Sequence, residues 1–187
     1  MKNLSSNDLL VERFNNGEVF AYPTEAVIGL GCDPDNQDAV TQLLKLKGRP
    51  LEKGLILVAR DYSQLLPYVD DARIPMHKRT EIFSSWPGPI TWLLPASKLA
   101  PKWITGGSEF IAVRVSQHEV IRDLCDLFAK PLVSTSANVS GAQPALTAEQ
   151  LYQQFDKSLL LIEGDLGDEA KPSLIRHGIS GKIIRDK

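Results

Sequence analysis

Hydrophobic positions along the chain fall into short blocks whose period switches between three-to-four and two. Residues 6–16 place Leu9, Leu10 and Phe14 on one helical face, with a serine or asparagine ahead of them and Gly17 behind as a C-cap. Residues 19–22 read as a strand that Pro23 stops. Residues 36–47 carry Ala39, Val40, Leu43 and Leu44 at helical spacing after the turn-forming Asp33-Pro34-Asp35-Asn36. Residues 55–59 form an apolar run too short for a helix, which predicts a buried strand, and 90–94 and 111–115 predict two more. Residues 118–128 turn Val120, Ile121, Leu124 and Phe128 to one side of a helix. Pro131-Leu132-Val133 leads into a polar loop from Ser134 to Asn138. A helix at 147–155, a strand at 159–162 and a last strand at 182–185 follow. This irregular alternation predicts an α/β fold on a sheet that is mixed rather than purely parallel, in one domain spanning 1–187.

Composition narrows the class. With 43% hydrophobic and 24% charged residues and a formal net charge of −2, the chain has the balance of a folded domain and not of a disordered one. No apolar run approaches the roughly 20 residues of a membrane helix. The first residues lack the apolar core of a signal peptide. Cys32 and Cys125 do not make a disulfide framework. The expectation is therefore a cytoplasmic protein with no membrane partner. Balanced charge argues against a generic polyanion binder but leaves room for a local basic groove. His77, His118 and His177 share no metal-ligand spacing with each other or with the cysteines, so no metal site is expected. There is no GxxxxGK[ST] loop, no GxGxxG after a strand and no GxSxG elbow.

Several segments carry candidate chemistry, each with a plainer reading beside it. Lys45, Lys47, Arg49 and Lys53 crowd around the end of the second helix. They either answer the helix dipole or clamp a phosphate, with Lys47 and Arg49 pointing the same way from an extended post-helix segment. The loop Ser134-Thr135-Ser136-Ala137-Asn138 either bonds to its own backbone or cradles an anion. Tyr22-Pro23-Thr24-Glu25-Ala26, with Gly29-Leu30-Gly31 after it, is a tight turn or a place where backbone approaches a ligand closely. Arg114 lies inside an apolar strand and must face solvent, a protein carboxylate such as Glu25, or a ligand. Trp86, in Trp86-Pro87-Gly88-Pro89, packs on the edge of the core or stacks on a base.

Taken in order, Tyr22-Pro23-Thr24-Glu25, Gly29-Leu30-Gly31, Lys47-Gly48-Arg49, Trp86-Pro87-Gly88-Pro89, Ala112-Val113-Arg114-Val115 and Ser136-Ala137-Asn138 resemble the motifs of the YrdC/TsaC family, the threonylcarbamoyl-AMP synthases. Each motif is short, but the ordered set runs along nearly the whole chain. The resemblance implies a twisted open sheet around a large concave, positively charged surface. It implies that L-threonine, bicarbonate and ATP, with Mg²⁺ accompanying the nucleotide, give threonylcarbamoyl-AMP and pyrophosphate. Partner proteins would then transfer the threonylcarbamoyl group to the tRNA adenosine beside the anticodon. The length places the chain in the short branch of the family.

By the same resemblance, Lys47 and Arg49 are the expected catalytic residues. Lys47, Arg49, Lys53, Ser136, Asn138 and Arg185 are expected to hold ATP, and Thr24, Arg114, Ser134 and Ser173 to hold threonine, with Arg114 gripping its carboxylate. Ala26 and Val58 depart from the threonine and histidine of the longer branch, both in its threonine pocket. The rival from another class is a module that binds structured RNA, tRNA included, without catalysis.

Overall fold

A computed structural model describes residues 6–169 and 171–186. Among these, nine strands form one sheet in the order β7-β1-β2-β6-β3-β5-β4-β8-β9. The strands are β1 Phe20–Pro23, β2 Ile28–Gly31, β3 Ile56–Ala59, β4 Ile90–Pro95, β5 Phe110–Val115, β6 Leu132–Ser136, β7 Leu160–Leu161, β8 Leu174–His177 and β9 Ile183–Arg185. Neighbours β1/β7, β3/β5 and β4/β8 run parallel, and the remaining pairs antiparallel, so the sheet is mixed as expected. The helices are α1 Ser6–Asn15, α2 Gln37–Lys47, α3 Met76–Ser84, α4 Lys102–Thr105, α5 Glu119–Leu127 and α6 Ala148–Gln154. None is long and apolar enough to cross a membrane.

Strand alternation assigns the two faces. Ala21, Leu30, Leu57, Val113, Val115, Trp92 and Val133 point into the main core, where α2, α3, α4 and α6 add Val40, Leu43, Ile82, Ile104 and Leu151. The alternate positions Phe20, Tyr22, Val58 and Leu132 form a smaller core under α1 and α5, with Phe14, Ile121, Leu124 and Cys125. That second face is covered only in part. Farther along the same strands its residues turn polar: Ser134 and Ser136 follow Leu132 on β6, and Arg114 lies beside Val58 in the β3/β5 register.

Several elements differ from the pattern-based expectation. Ser134, Thr135 and Ser136 are the end of β6, paired with Ile56, Leu30 and Gly29, and not a loop. β2 went unread because Gly29 and Gly31 dilute it. At Gly31 the reason is steric. A Cβ there would stand 2.7 Å from the Tyr22 ring and 2.7 Å from the Val133 carbonyl oxygen. Tyr22 lies across β2, and its hydroxyl donates to that same oxygen at 3.2 Å. The glycine makes room for the chain's own tyrosine. β8 and α3 also escaped the pattern, since Ile82 is the only buried residue of α3 and none of β8 is fully buried. Trp86 packs with Tyr62 and Phe83 against the main core and donates its indole N–H to the Ile90 carbonyl at 2.7 Å, so the core-edge reading holds.

Gly31→Ala is expected to destabilise the fold by about 1–3 kcal/mol through overpacking against Tyr22 and β6. Urea unfolding measures it, and an unchanged midpoint would show that the ring has room to move.

Candidate functional site

The uncovered part of the second face is an open cleft. Ile56, Ser134, Ser136 and Arg114 come from the sheet, the Thr24–Val27 turn and Arg49 from its rim, Ser173 from the residue before β8 and Arg185 from β9. Arg49, Arg114, Lys171 and Arg185 line it against the carboxylates Glu25 and Glu169, so its lining is net cationic.

The second helix ends in a way that separates two residues expected to act together. Asn36 caps its start by accepting from the Ala39 amide at 3.1 Å. Gly48, at φ +58, closes it, and the Arg49 amide returns to the Leu44 carbonyl at 3.0 Å, the hydrogen bond of a Schellman turn. The chain reverses there, so Lys47 and Arg49 diverge instead of pointing the same way. Lys47 is buried on the last turn of α2 and does not line the cleft. Its ammonium donates to the Ser136 carbonyl, to the Asn138 carbonyl at 2.8 Å and to Asn138 Oδ1 at 3.5 Å. Burial and the nearby Arg49 push its pKa down to about 8. Lys47 is thus a peg joining α2 to the end of β6.

Arg49 does reach the cleft. Its Nη2 donates to the Gly54 carbonyl at 2.9 Å, which fixes the guanidinium, while Nε is buried without a partner. Burial lowers its pKa. Arg185 donates to the Ser173 carbonyl at 2.8 Å, and burial followed by the charges of Arg49 and Arg114 lowers its pKa too. Arg49 and Arg114 thus disfavour the charge on Arg185, an effect that a bound anion relieves.

The remaining expected residues divide. Ser134, Ser136 and Ser173 line the cleft; the Ser136 hydroxyl donates to Asn138 Oδ1 at 2.6 Å and Ser173 Oγ meets Thr91 Oγ1 at 2.8 Å. Thr24 lines it as well, but its hydroxyl closes the turn on the Val27 carbonyl at 2.7 Å. Asn138 and Lys53 do not line it. The Asn138 amide donates to the Val139 and Ala142 carbonyls at 2.9 and 3.0 Å, shaping the turn after β6. Lys53 is exposed. Ala26 borders the cleft, whereas Val58 is buried in the α1/α5 core and does not.

Arg114 is paired with Glu25: Nη1 and Oε1 are 2.7 Å apart, and both side chains are largely buried. Ser116 Oγ donates to the same oxygen at 2.6 Å. Burial opposes the charge on Glu25, but Arg114 and Ser116 outweigh it and hold the carboxyl below its ordinary range. Ser116 was missed in the sequence. Its position two after Arg114 was the available signal, since alternation puts both on one side.

These features belong to a known class. The Sua5/YciO/YrdC family model, described as telomere recombination, matches residues 12–186, and the chain belongs to this family. Two relatives are named threonylcarbamoyl-AMP synthase. That of Pseudoalteromonas atlantica is 66% identical over 170 residues, covering 91% of this chain and 91% of the relative. That of Photorhabdus laumondii is 51% identical over 168 residues, covering 90% and 89%. Among solved structures, P. abyssi Sua5 complexed with L-threonine superposes with a TM-score of 0.82 at 30% identity, over 90% of this chain and 49% of that one. This chain therefore spans about half the length of that Sua5. E. coli YciO, at 23% identity and a TM-score of 0.75 over 96% of this chain and 90% of its own, shares the fold.

Lys47→Met is expected to lower the unfolding free energy by about 1–3 kcal/mol, because it strips buried carbonyls of their donor. Arg49→Met should cost less than half as much, since its head faces the cleft; equal losses in urea titrations would contradict the division between peg and ligand-facing cation. Glu25 sets a pH dependence. Its folded pKa lies below the 4.5 of the free group, so the unfolded chain takes up that proton first as pH falls. The stability gap between wild type and Glu25→Gln should be constant above pH 4.5 and shrink as pH drops through the lowered pKa.

Proposed function

We propose that this chain makes threonylcarbamoyl-AMP and pyrophosphate from L-threonine, bicarbonate and ATP, as a nucleotidyltransferase serving tRNA modification. The observation that carries the reading is the 66% identity to a threonylcarbamoyl-AMP synthase over 91% of both chains. The cleft supports it chemically. Threonine's amine and bicarbonate combine to a carbamate and water. A carbamate oxygen attacks the α-phosphorus of ATP, the bond to the β-phosphate oxygen breaks, and pyrophosphate leaves. No side-chain nucleophile is required; what the protein supplies is positioning and charge neutralisation. Arg49 and Arg185 face the triphosphate, Ser136 lies beside it, and Lys47 and Asn138 act by fixing the end of β6 that carries Ser136. Arg114 takes the threonine carboxylate, with Ser134, Ser173 and the Thr24 turn around it. Lys53 adds to the positive field near Arg49. Mg²⁺ arrives with the nucleotide. Among the described residues no group of three or more His, Cys, Asp or Glu is placed to hold a metal ion, in keeping with phosphates and water providing most of its ligands. The product passes to the proteins that transfer the group to tRNA, in the cytoplasm.

Pyrophosphate release that requires ATP, threonine and bicarbonate together tests the reading. A module that only binds structured RNA would release none. Arg49→Ala should cut the rate by an order of magnitude or more, the loss of a charged contact in phosphoryl transfer being about 2–4 kcal/mol. Full activity in the folded variant would place the triphosphate elsewhere. Arg114→Lys keeps a charge but loses the planar fork. It should raise the threonine KM by a factor equivalent to about 1.5–3 kcal/mol and leave the ATP KM unchanged. A lower melting temperature with both KM values intact would instead make Arg114 solely the structural partner of Glu25.

A further inference from the structure

Glu25 stands in the turn between β1 and β2, and its backbone is fixed from outside. The Glu169 amide donates to the Glu25 carbonyl at 2.9 Å, and the Gly167 amide to that of Thr24 at 3.0 Å. Gly167 packs so closely that a Cβ on it would lie 2.8 Å from the Glu25 Cα. The side chain is thereby directed into the cleft beside Arg114. Oε1 is occupied by Arg114 Nη1 at 2.7 Å and Ser116 Oγ at 2.6 Å. Oε2 is buried, and no hydrogen-bond donor of the described residues meets it. Buried carboxylate oxygens without a donor are uncommon, because desolvation leaves them costly.

A guanidinium and a carboxylate thus stand side by side on the cleft wall. That pairing complements the head of an α-amino acid, whose carboxylate and ammonium leave one carbon. With the carboxylate on Arg114, the ammonium needs an acceptor close by. The neighbouring hydroxyl oxygens already accept hydrogen bonds: Thr24 Oγ1 from the Ala26 and Val27 amides at 3.5 and 3.4 Å, Ser116 Oγ from the His118 amide at 3.1 Å, and Ser173 Oγ from Arg185 Nη2 at 3.4 Å. We infer that Glu25 is the amine-binding residue of the cleft, its Oε2 accepting a hydrogen bond from the α-ammonium of the amino-acid substrate next to the carboxylate held by Arg114. The inference rests on the function proposed above. It makes Glu25 the residue that selects amino acids over hydroxy acids of the same shape and holds the nitrogen where the carbamate forms.

The test is calorimetric titration of the full chain with threonine and with 2,3-dihydroxybutanoate, in which a hydroxyl replaces the ammonium. Wild type should bind threonine about 10- to 100-fold more tightly, the range for one hydrogen bond to a charged group. In Glu25→Gln the preference should fall to about threefold or less, through weaker threonine binding with the analogue unaffected. Ser116→Ala, which removes the other partner of Oε1 but leaves Oε2, should keep the preference. If Glu25→Gln weakens both ligands by one factor, Glu25 acts only by supporting Arg114 and the inference fails. Undiminished preference in that variant overturns it equally. Should Glu25→Gln not fold, the wild-type comparison still decides, since equal affinity for the two ligands is incompatible with an ammonium contact. Wild type that binds neither ligand and releases no pyrophosphate would remove the functional assignment itself, a result distinct from any of these.

Discussion

A nine-stranded sheet has two faces to take out of water, and this chain covers them unequally. Four helices close one face over the main core, while α1 and α5 close only part of the other. The residues on the uncovered part must tolerate solvent. That constraint is visible inside single strands: β6 passes from Leu132 under the helices to Ser134 and Ser136 in the cleft, and Arg114 sits in register with the buried Val58. The cleft is therefore the unroofed remainder of the sheet, with a backbone held by ladder hydrogen bonds on both sides. A site built on strands in this way keeps its geometry better than one carried by free loops.

Much of this was legible because periodicity reports burial. Helices with a one-sided apolar face, such as residues 119–127, and strands buried on both faces, such as residues 56–59, follow from spacing alone. What escaped did so for physical reasons. β2 carries glycines where a tyrosine from the next strand lies across it, a tertiary cause that no local window contains. Ser134–Ser136 has the composition of a loop, yet pairs on both sides because its neighbours β2 and β3 offer open ladders. In the site, residue types were read well and directions less so. Lys47 and Arg49 look equivalent by charge and spacing, but the left-handed Gly48 between them sends one into the protein and the other into the cleft. The assumption of an extended segment after the helix gave them a common direction.

That division bears on what a motif of two cations can mean. A lysine whose ammonium is held by two backbone carbonyls cannot leave to follow a ligand without orphaning them. Its influence on the cleft passes through Ser136 and Asn138, whose carbonyls it fixes and whose side chains bond each other. Arg49 bears on the cleft directly. The same short motif thus contributes once through structure and once through charge, and its two members answer to different measurements.

The distribution of charge completes the argument. On the proposed reaction two anions, a carbamate and a triphosphate, must approach each other away from bulk water. Two unit charges about 4 Å apart repel by roughly 1 kcal/mol in water and roughly 4 kcal/mol at the effective dielectric near a protein surface. A cleft that excludes water therefore worsens the encounter unless it brings cations, held in place beforehand so that they need not reorganise during the reaction. Arg49 and Arg185 meet that condition, each tethered to a backbone carbonyl. Glu25 would be misplaced among them if the whole cleft served phosphate. It stands against Arg114 instead, and the pair is locally neutral. On the proposed reaction a zwitterion suits that pair and a polyanion the guanidiniums of Arg49 and Arg185, so the pairing that keeps the buried Arg114 compensated would also bear on where each substrate lies.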